Sequence, residues 1–385
     1  MTNTTITSLS RRKLLKTLAV LGVSLPAANA LLSLNKQEFG DTKERWLSAQ
    51  GRHKEQFSLG MINPYQDQTE LALSNFRGHG LCQNPHKKEQ VAMLARRPGL
   101  QGIVIDFQTG NPTHVFQCSQ DHHMQGHACF SHDGQYLFSS ESNYKTGQGK
   151  IIVRETQNFK QVHEFSSHGI GPHELLMMPN SDQLVIANGG LLTHPDSGRK
   201  VLNYANMHSS LTYINSQNGE LLDQQTLTET KASIRHLDVS DDGIVAVALQ
   251  VQRDALKHNK PIELAALHKP GQPLKTLTAP SSLLLKLSDY MGSVKINSPH
   301  KVAAFTSPRG NLAMFWNIDD GSFKNHHGFH DVCGLAVSQD KNYFVLSNSA
   351  GKIRRIHANT LKEDPTMRLS FPNNSWDNHM LSVSS

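Results

Sequence analysis

Five histidines recur at matching positions in a repeated strand motif, and imidazole is the side chain that most often binds metal ions in proteins. The motifs are Gly78-His79-Gly80-Leu81, Gly126-His127-Ala128-Cys129, Pro172-His173-Glu174-Leu175, Arg235-His236-Leu237-Asp238 and Asn378-His379-Met380-Leu381. If each histidine begins the innermost strand of one sheet in a ring of sheets, the imidazoles converge on one axis. The repeat that builds the fold would then also build a metal site.

Such a ring offers ligands for iron, copper or zinc, because imidazole suits all three metals. Glu174, Asp331, Asp377 and Cys333 lie close to the same axis and could add an oxygen or sulfur ligand. Opposite members of a wide ring are too far apart to share one ion, so we expect no more than two or three histidines to bind it. The alternatives are a structural belt of hydrogen-bonded histidines and a pocket for an organic ligand.

Several other polar residues could bind an anion or a partner protein. Arg235 and Arg309 lie at strand ends near the axis, where guanidinium forks bind carboxylate or phosphate, although such arginines more often hold blades together. The loop that contains Asp196 and Arg199 could hold an anion or a partner, or could be a turn braced by an Asp196–Arg199 ion pair. The dyads His122-His123 and His326-His327 are expected in exposed loops.

The elements that position these residues are short strands. Apolar and β-branched runs end repeatedly in turn sequences, and no long helical period is present. Examples of the turns are Ser131-His132-Asp133-Gly134, Ser240-Asp241-Asp242-Gly243 and Ser338-Gln339-Asp340-Lys341. A strand, a tight turn, a strand, a longer loop, a strand, a polar turn and a strand make a four-stranded antiparallel blade.

Inner strands counted by this motif start near residues 79, 127, 173, 236, 293, 334 and 379. These starts predict an all-β fold, a single seven-bladed β-propeller over residues 45–385. No chain remains after the last inner strand (378–383) to complete its blade. The N-terminal segment has three outer strands (45–48, 56–62 and 71–76) and no inner one, so pairing the two ends closes the ring and removes two free sheet edges.

Residues 1–30 have the features of a twin-arginine signal peptide, followed by an N-terminal extension over 31–44. Arg11 and Arg12 supply the arginine pair, a short apolar run follows, and Ala28-Asn29-Ala30 predicts cleavage after Ala30. The apolar run is too short to span a membrane. We therefore expect export to the periplasm.

Removal of the signal leaves a nearly neutral chain. Four of the 38 Lys and Arg residues and none of the 32 Asp and Glu residues lie in 1–30, so 34 basic and 32 acidic residues remain, a net charge of +2. No dense basic run is left, which argues against nucleic acid as a partner, and no later stretch is long and apolar enough for a span. We expect a soluble monomer.

The four cysteines form no metal-binding or redox motif. Cys82, Cys118, Cys129 and Cys333 lack C-x-x-C spacing. A disulfide such as Cys82–Cys129 and buried free thiols both remain open. H-E-x-x-H, G-x-S-x-G and a complete G-x-G-x-x-G are also absent from the sequence, so no catalytic residue is predicted.

Several longer strings carry a family resemblance. They are Ile170-Gly171-Pro172-His173-Glu174-Leu175, Asn188-Gly189-Gly190, Thr193-His194-Pro195-Asp196-Ser197-Gly198-Arg199, Ile234-Arg235-His236-Leu237-Asp238-Val239, Ser307-Pro308-Arg309-Gly310 and Trp376-Asp377-Asn378-His379. From about residue 46 to Val383 the chain resembles the exported bacterial family catalogued as domain of unknown function 1513. The resemblance implies a YVTN/WD-repeat-like propeller, with genes often beside imelysin-like periplasmic iron-uptake proteins, and it implies no catalytic residues.

Three functions are consistent with these features. The first is a non-catalytic periplasmic propeller that binds a metal ion or metal complex in a His-lined channel, in association with iron uptake and imelysin-like partners. The second is a protein-interaction scaffold of the same pathway, and the third is an enzyme that acts on a small anionic substrate near Arg235 and Arg309. Metal analysis with the channel histidines intact and removed separates the first function from the other two.

Overall fold

A computed structural model describes residues 43–53, 56–256 and 258–384. These residues form strands β1 to β28, which make seven four-stranded antiparallel sheets in a ring. The described helical elements are one α-helix, α1 (Ser281–Lys286), and two short 3-10 turns, Pro195–Ser197 and Arg253–Ala255. The predicted all-β, seven-bladed propeller is confirmed. The predicted signal peptide and most of the predicted extension lie outside the described residues.

The sheets are named blades 1 to 7, and their strands are given from the channel outwards. Blade 1 has β28 (Leu381–Ser384), β1 (Glu44–His53), β2 (Gln56–Asn63) and β3 (Gln68–Ser74). Blade 2 has β4 (Gly78–Gln83), β5 (Gln90–Ala95), β6 (Gln101–Asp106) and β7 (Asn111–Gln117). Blade 3 has β8 (His122–Phe130), β9 (Tyr136–Asn143), β10 (Gly149–Glu155) and β11 (Gln161–Ser166).

The remaining four blades repeat this order. Blade 4 has β12 (Pro172–Met177), β13 (Gln183–Asn188), β14 (Ser210–Asn215) and β15 (Leu221–Gln225). Blade 5 has β16 (Ala232–Val239), β17 (Val245–Val251), β18 (Ala265–His268) and β19 (Lys275–Thr276). Blade 6 has β20 (Ser293–Asn297), β21 (Val302–Ser307), β22 (Leu312–Asn317) and β23 (Phe323–Gly328). Blade 7 has β24 (Val332–Val337), β25 (Tyr343–Asn348), β26 (Lys352–His357) and β27 (Leu369–Ser370).

The ring closes in blade 1, where the two ends of the chain share one sheet. The C-terminal strand β28 pairs antiparallel with β1, so that Arg45 lies opposite Val383 and Leu47 opposite Leu381. The hydroxyl of Ser48 donates a hydrogen bond of 2.7 Å to the carbonyl of His379. The predicted closure is therefore confirmed, and it places His379 directly before an inner strand.

The turns between the first two strands of several blades use the same side-chain chemistry. In blade 3 the Ser131 hydroxyl donates to the Asp133 carboxylate at 2.6 Å, and Gly134 follows with a φ of 66°. Blades 5 and 7 repeat the bond at 2.6 Å between Ser240 and Asp242 and between Ser338 and Asp340. A carboxylate two residues after a serine thus fixes the tight turn, as the repeated turn sequences predict.

The core lies between the faces of neighbouring blades. One apolar cluster joins blades 1 and 2 and contains Leu47, Leu59, Val91, Ile103 and Val383, all buried. Inner strands of neighbouring blades contact one another around the ring, while outer strands such as β11 are largely exposed. No helix among the described residues is long and apolar enough to cross a membrane.

Candidate metal centre in the central channel

The five spaced histidines meet in one buried cluster on the propeller axis. The ring centres of His236 and His379 lie 4.5 Å apart, and the other neighbouring pairs lie 4.6 to 4.9 Å apart. Even His79 and His236, which come from opposite sides of the channel, have ring centres only 6.2 Å apart. We call His79, His127, His173, His236 and His379 the histidine cluster.

Local irregularities in the inner strands aim these side chains inwards. The pairing of β4 with β5 shifts between Gly78 and Leu81, around His79, and that of β12 with β13 shifts between Pro172 and Leu175, around His173. The pairings of β8 and β16 shift at the corresponding places. A bulge bends its strand and redirects a side chain. Of the two inner strands without a channel histidine, β20 pairs with β21 without a shift, and β24 has the bulge between Val332 and Leu335.

Two glycines leave room for the closest imidazoles. A Cβ atom on Gly126, whose φ is 110°, would lie 2.7 Å from the ring of His79. A Cβ atom on Gly80 would lie 2.5 Å from the carbonyl of Gly126 and 2.7 Å from the ring of His127. Only glycine fits such close approaches. The glycines beside His79 and His127 in the sequence are therefore part of the site.

Glu174 orients two of the imidazoles. The Nδ1 atom of His236 donates to its carboxylate at 3.0 Å, and the Nδ1 atom of His127 lies 3.4 Å from its other oxygen. The backbone N–H of Leu237 also donates to Glu174 at 3.2 Å. A carboxylate on Nδ1 fixes the tautomer that leaves Nε2 with a free lone pair, the arrangement found behind many metal-bound histidines.

Asp377 does the same for a third imidazole. The Nδ1 atom of His79 donates to Asp377 at 3.2 Å, and Arg77 and Arg96 donate to the other carboxylate oxygen at 3.0 and 3.3 Å. The backbone N–H of Asn378 completes the shell at 2.7 Å. Glu174 and Asp377 therefore act behind the histidines as orienting groups, although Glu174 also lies within reach as a ligand.

Three overlapping groups of side chains can hold a metal ion. Their ligand atoms lie within 4.8 Å of one another in the sets His79/His236/His379, His79/His127/His173 and His127/Glu174/His236. Nitrogens bound to one zinc ion at about 2.1 Å are at most about 4 Å apart, so a small inward movement completes a site. The buried atoms His127 Nε2, His173 Nδ1 and His379 Nε2 have no hydrogen-bond partner.

Burial sets the charge of the cluster. It lowers the pKa of His79, His173 and His379 well below the ordinary value of an imidazole, and it lowers the pKa of His236 to about 4. Burial alone would raise the pKa of Glu174, but His127 and His236 outweigh it and hold that pKa well below its usual range. At neutral pH, imidazoles with these lowered pKa values are in the neutral form that metals bind.

The structure brings some of the predicted site residues together and separates others. All five histidines and Glu174 converge, and each group holds no more than three of them. The prediction that opposite histidines lie too far apart to share an ion is wrong for His79 and His236, because the bulged strands bring the side chains to the axis. Asp331 and Cys333 join none of the three groups. The Asp331 carboxylate accepts from Ser349, and the Cys333 thiol donates to the Trp376 carbonyl.

The structure brings only some of the residues predicted to bind an anion into one place. Arg235 and Arg199 line a small cavity at one mouth of the channel, next to His79, His173 and His236. Arg309 lies outside that cavity, where it donates to the Ser288 carbonyl at 3.2 Å and covers the ring of Tyr290. Asp196 forms no pair with Arg199 among the described residues. It points into solvent and pairs with His194 at 3.6 Å.

Sequence reasoning missed two arginines of this cavity, Arg96 and Arg97, which line it with Tyr290 and Asn378. The only signal was the dyad Arg96-Arg97 before Pro98, in the loop between β5 and β6. Burial, and then the charge of Arg235, lowers the pKa of Arg97 well below its usual value. Burial lowers the pKa of Arg235 to about 10.

The structure also differs from the expectation for the two histidine dyads and decides between the two alternatives for the cysteines. His122 and His123 are buried within β8, and His326 and His327 lie on the outer strand β23, so neither dyad lies in a loop. The prediction failed because strands that end in polar residues resemble loops in sequence. All four cysteines are free thiols, so no Cys82–Cys129 disulfide forms.

Comparison with known proteins bears on the fold and the family. No curated protein matches the chain. Among solved structures, a chain of hydrazine synthase from Kuenenia stuttgartiensis is similar, with a TM-score of 0.58, 12% identity, and coverage of 78% of this chain and 92% of that one. At that identity the likeness concerns the fold alone.

A family model matches residues 73–383, from the last residues of β3 to the inner strand β28 that closes the ring. The match includes all five members of the histidine cluster. It agrees with the resemblance noted from the sequence. The chain therefore belongs to the family described as protein of unknown function DUF1513.

Proposed function

We propose that this protein is a non-catalytic, periplasmic metal-binding propeller that holds a transition-metal ion in its histidine cluster and takes part in iron uptake. One observation carries the metal assignment. The buried Nε2 atoms of His127 and His379 have no hydrogen-bond partner, and both residues belong to groups whose ligand atoms lie within 4.8 Å of one another. Buried polar atoms are nearly always satisfied, and an imidazole lone pair without a donor is a metal ligand.

The carboxylates support the same function. Glu174 and Asp377 each accept a hydrogen bond from an Nδ1 atom of the cluster and hold that imidazole in place. Both carboxylates are occupied as acceptors by histidine, arginine or backbone N–H groups. Neither carboxylate is therefore left free beside the cluster, and both act behind the imidazoles as orienting groups. Iron, copper and zinc all suit a site of this composition.

Elemental analysis of the protein exported by its native route tests the metal assignment. We expect about one equivalent of iron, copper or zinc for each chain, and competition titration with a chelator gives the affinity. Substituting both His79→Asn and His236→Asn leaves none of the three ligand groups complete and should abolish retention. Glu174→Gln removes an orienting carboxylate and should weaken binding by about 10- to 100-fold.

The matched control is the double variant His326→Asn with His327→Asn. These histidines lie on the outer strand β23, where a surface dyad could capture metal without any channel site. Retention should be unchanged in this variant. Absence of metal from the native protein, or equal loss in both double variants, refutes the channel assignment. Circular dichroism confirms that each variant is folded.

The location and the pathway rest on the sequence. Arg11 and Arg12 are the arginine pair of the proposed twin-arginine signal in residues 1–30, and lysine substitution of both should leave the protein in the cytoplasm in a fractionation experiment. Partnership with imelysin-like proteins predicts that they co-purify with the exported chain. It also predicts slower growth under iron limitation when the chain is deleted, and rescue by the wild type but not by the His79→Asn/His236→Asn variant.

A further inference from the structure

A cavity at one mouth of the channel is lined by more positive charge than the protein itself balances. The four guanidinium groups of Arg96, Arg97, Arg199 and Arg235 border it, together with Tyr290 and Asn378. Among the residues that the structure describes, no carboxylate side chain lines this cavity. We call these six residues the arginine mouth. His79, His173 and His236 form its inner wall.

Three of the four guanidinium groups have no acidic partner. Arg96 contacts Asp377 at 3.3 Å, but Arg97, Arg199 and Arg235 form no salt bridge within the described residues. Arg97 and Arg235 are 8% and 6% exposed, and the Nε atom of each has no hydrogen-bond partner. A buried charge without a partner is strongly destabilising. The arrangement is complete only with an anion in the cavity.

The donors suit a carboxylate. Guanidinium groups present parallel N–H bonds that match the two oxygens of a carboxylate. The amide of Asn378 donates to the Tyr290 hydroxyl at 2.6 Å, so the proton of that hydroxyl is available for another acceptor. Arginine forks and a phenol hydroxyl would therefore surround one oxyanion from several sides.

The arginine mouth adjoins the histidine cluster directly. A terminal nitrogen of Arg235 lies 3.4 Å from Nε2 of His173, and the two sets of residues share one cavity. The unpaired guanidinium groups of the mouth, of which Arg235 lies nearest, repel a bare metal cation in the cluster, because charges a few ångströms apart interact strongly in a poorly solvated site. An anion in the mouth removes that repulsion and can also touch the metal.

We propose that the arginine mouth binds a carboxylate anion that is a co-ligand of the channel metal, so that the protein takes up metal as a carboxylate complex. This proposal rests on the metal site proposed above in one respect, the contact between anion and metal. The cavity is small, about 10 Å³, so the bound group is one carboxylate of a chelator such as citrate, whose remainder lies outside the cavity, or a small oxyanion such as bicarbonate. Both share the chemistry that the arginines recognise.

Isothermal titration calorimetry of the mature protein tests the proposal. Citrate and, separately, bicarbonate are titrated into metal-free protein and into protein loaded with Zn²⁺. We expect at least one anion to bind the Zn²⁺-loaded form at least 10-fold more tightly than the metal-free form. Preference for citrate indicates a chelate as the natural ligand, and preference for bicarbonate indicates a small anion.

Variants locate the site. Arg97→Gln and Arg235→Gln should each weaken anion binding at least 10-fold, and the lysine variants, which keep the charge but lose the fork, should fall between them and the wild type. The control is Arg368→Gln, because Arg368 is exposed and pairs with Glu363 on the outside of blade 7. It should bind the anion as the wild type does. Circular dichroism spectra that match the wild type exclude misfolding.

The outcomes separate this proposal from the metal assignment. If neither anion binds either form, or if citrate merely strips the Zn²⁺, the proposal is overturned while the metal site stands. If an anion binds both forms equally, the co-ligand role is overturned. If Zn²⁺ never binds but citrate binds through Arg97 and Arg235, the metal assignment fails and the arginine mouth stands as a carboxylate site.

Discussion

The propeller buries arginines in two contrasting ways. In blade 3, Arg154 lies 2.8 Å from the Glu141 carboxylate and also donates to the Gln117 carbonyl at 2.9 Å. In blade 7, Nε of Arg355 donates to Asp364 at 3.0 Å. In the arginine mouth, Arg97 and Arg235 are similarly buried and have no carboxylate partner.

This difference separates charges that serve the fold from charges that serve a ligand. Where a carboxylate and hydrogen bonds surround a buried guanidinium, its charge is balanced before any ligand arrives. Where no carboxylate does, the folded protein carries an electrostatic cost that an anion can relieve. The comparison predicts that substitution changes the free energy of unfolding in opposite directions in the two regions.

The largest expected effect comes from breaking the pair in blade 3. Glu141→Gln leaves the Arg154 charge buried and unpaired, so the free energy of unfolding should fall by about 3–5 kcal/mol. Urea denaturation measures the change. Adding Arg154→Met to this variant should restore much of the lost stability, because an apolar pair of similar volume is well tolerated. If the double variant is no more stable than Glu141→Gln, the pair does not act as a balanced unit.

The second effect is a pH dependence of the free energy of unfolding, which differs between the two regions. The pKa of His236 is lowered to about 4 by burial, whereas an unfolded histidine titrates near 6.5. The unfolded chain binds the proton first, so the stability due to neutral His236 is present above about pH 6.5 and is lost as the pH falls to 4. That loss is about 3 kcal/mol. The free energy of unfolding should depend less on pH in His236→Asn.

The stability that the Arg355–Asp364 ion pair contributes depends on pH in a lower range. The pKa of Asp364 would be raised by burial alone, but hydrogen bonds from Thr366 and Arg355 lower it below its ordinary value. The stability from this carboxylate is therefore present above about pH 4 and lost as the pH falls through its folded pKa. Unfolding curves at pH 3 and pH 5 should show that Asp364→Asn flattens only the acidic range. Flattening above pH 5 would contradict the assignment.

Much of the architecture is predictable from sequence because its signals are local. Glycine or proline beside a histidine marks the inner strands that begin at Gly78 and Pro172, and Ser-x-Asp turns mark where several of them end. The unmatched strand after His379 predicts the closure, since an inner strand without outer strands must pair elsewhere.

The site was less predictable because it depends on strand bulges and on contacts between blades. A one-residue irregularity in β4 or β12 moves an imidazole inwards, and sequence periodicity does not record it. Arg97 lies in a loop whose sequence gives no sign that it turns towards the axis. Asp377 meets His79 across 298 positions of chain, so its orienting role follows only from the closed ring.

In the arginine mouth, substitution is expected to raise the free energy of unfolding, whereas Glu141→Gln lowers it, and the change is smaller. Arg97→Gln removes an unpaired buried charge and should raise the free energy of unfolding by about 1 kcal/mol in anion-free buffer. Denaturant unfolding with and without citrate measures this change. Citrate should stabilise the wild type and should stabilise the variant much less. A loss of stability in anion-free buffer would show that the protein itself balances Arg97.

The smallest effect tests where the arginine mouth ends. Arg309 is exposed, donates to the Ser288 carbonyl and covers the ring of Tyr290, which lines the cavity from the other side. Arg309→Gln therefore loses only a surface contact and should change the free energy of unfolding by less than about 1 kcal/mol. Anion affinity measured by calorimetry should stay within about twofold, since surface charges are screened by salt. If it falls as far as in Arg97→Gln, anion binding depends on exposed charge, and burial without a partner does not mark the ligand-binding arginines.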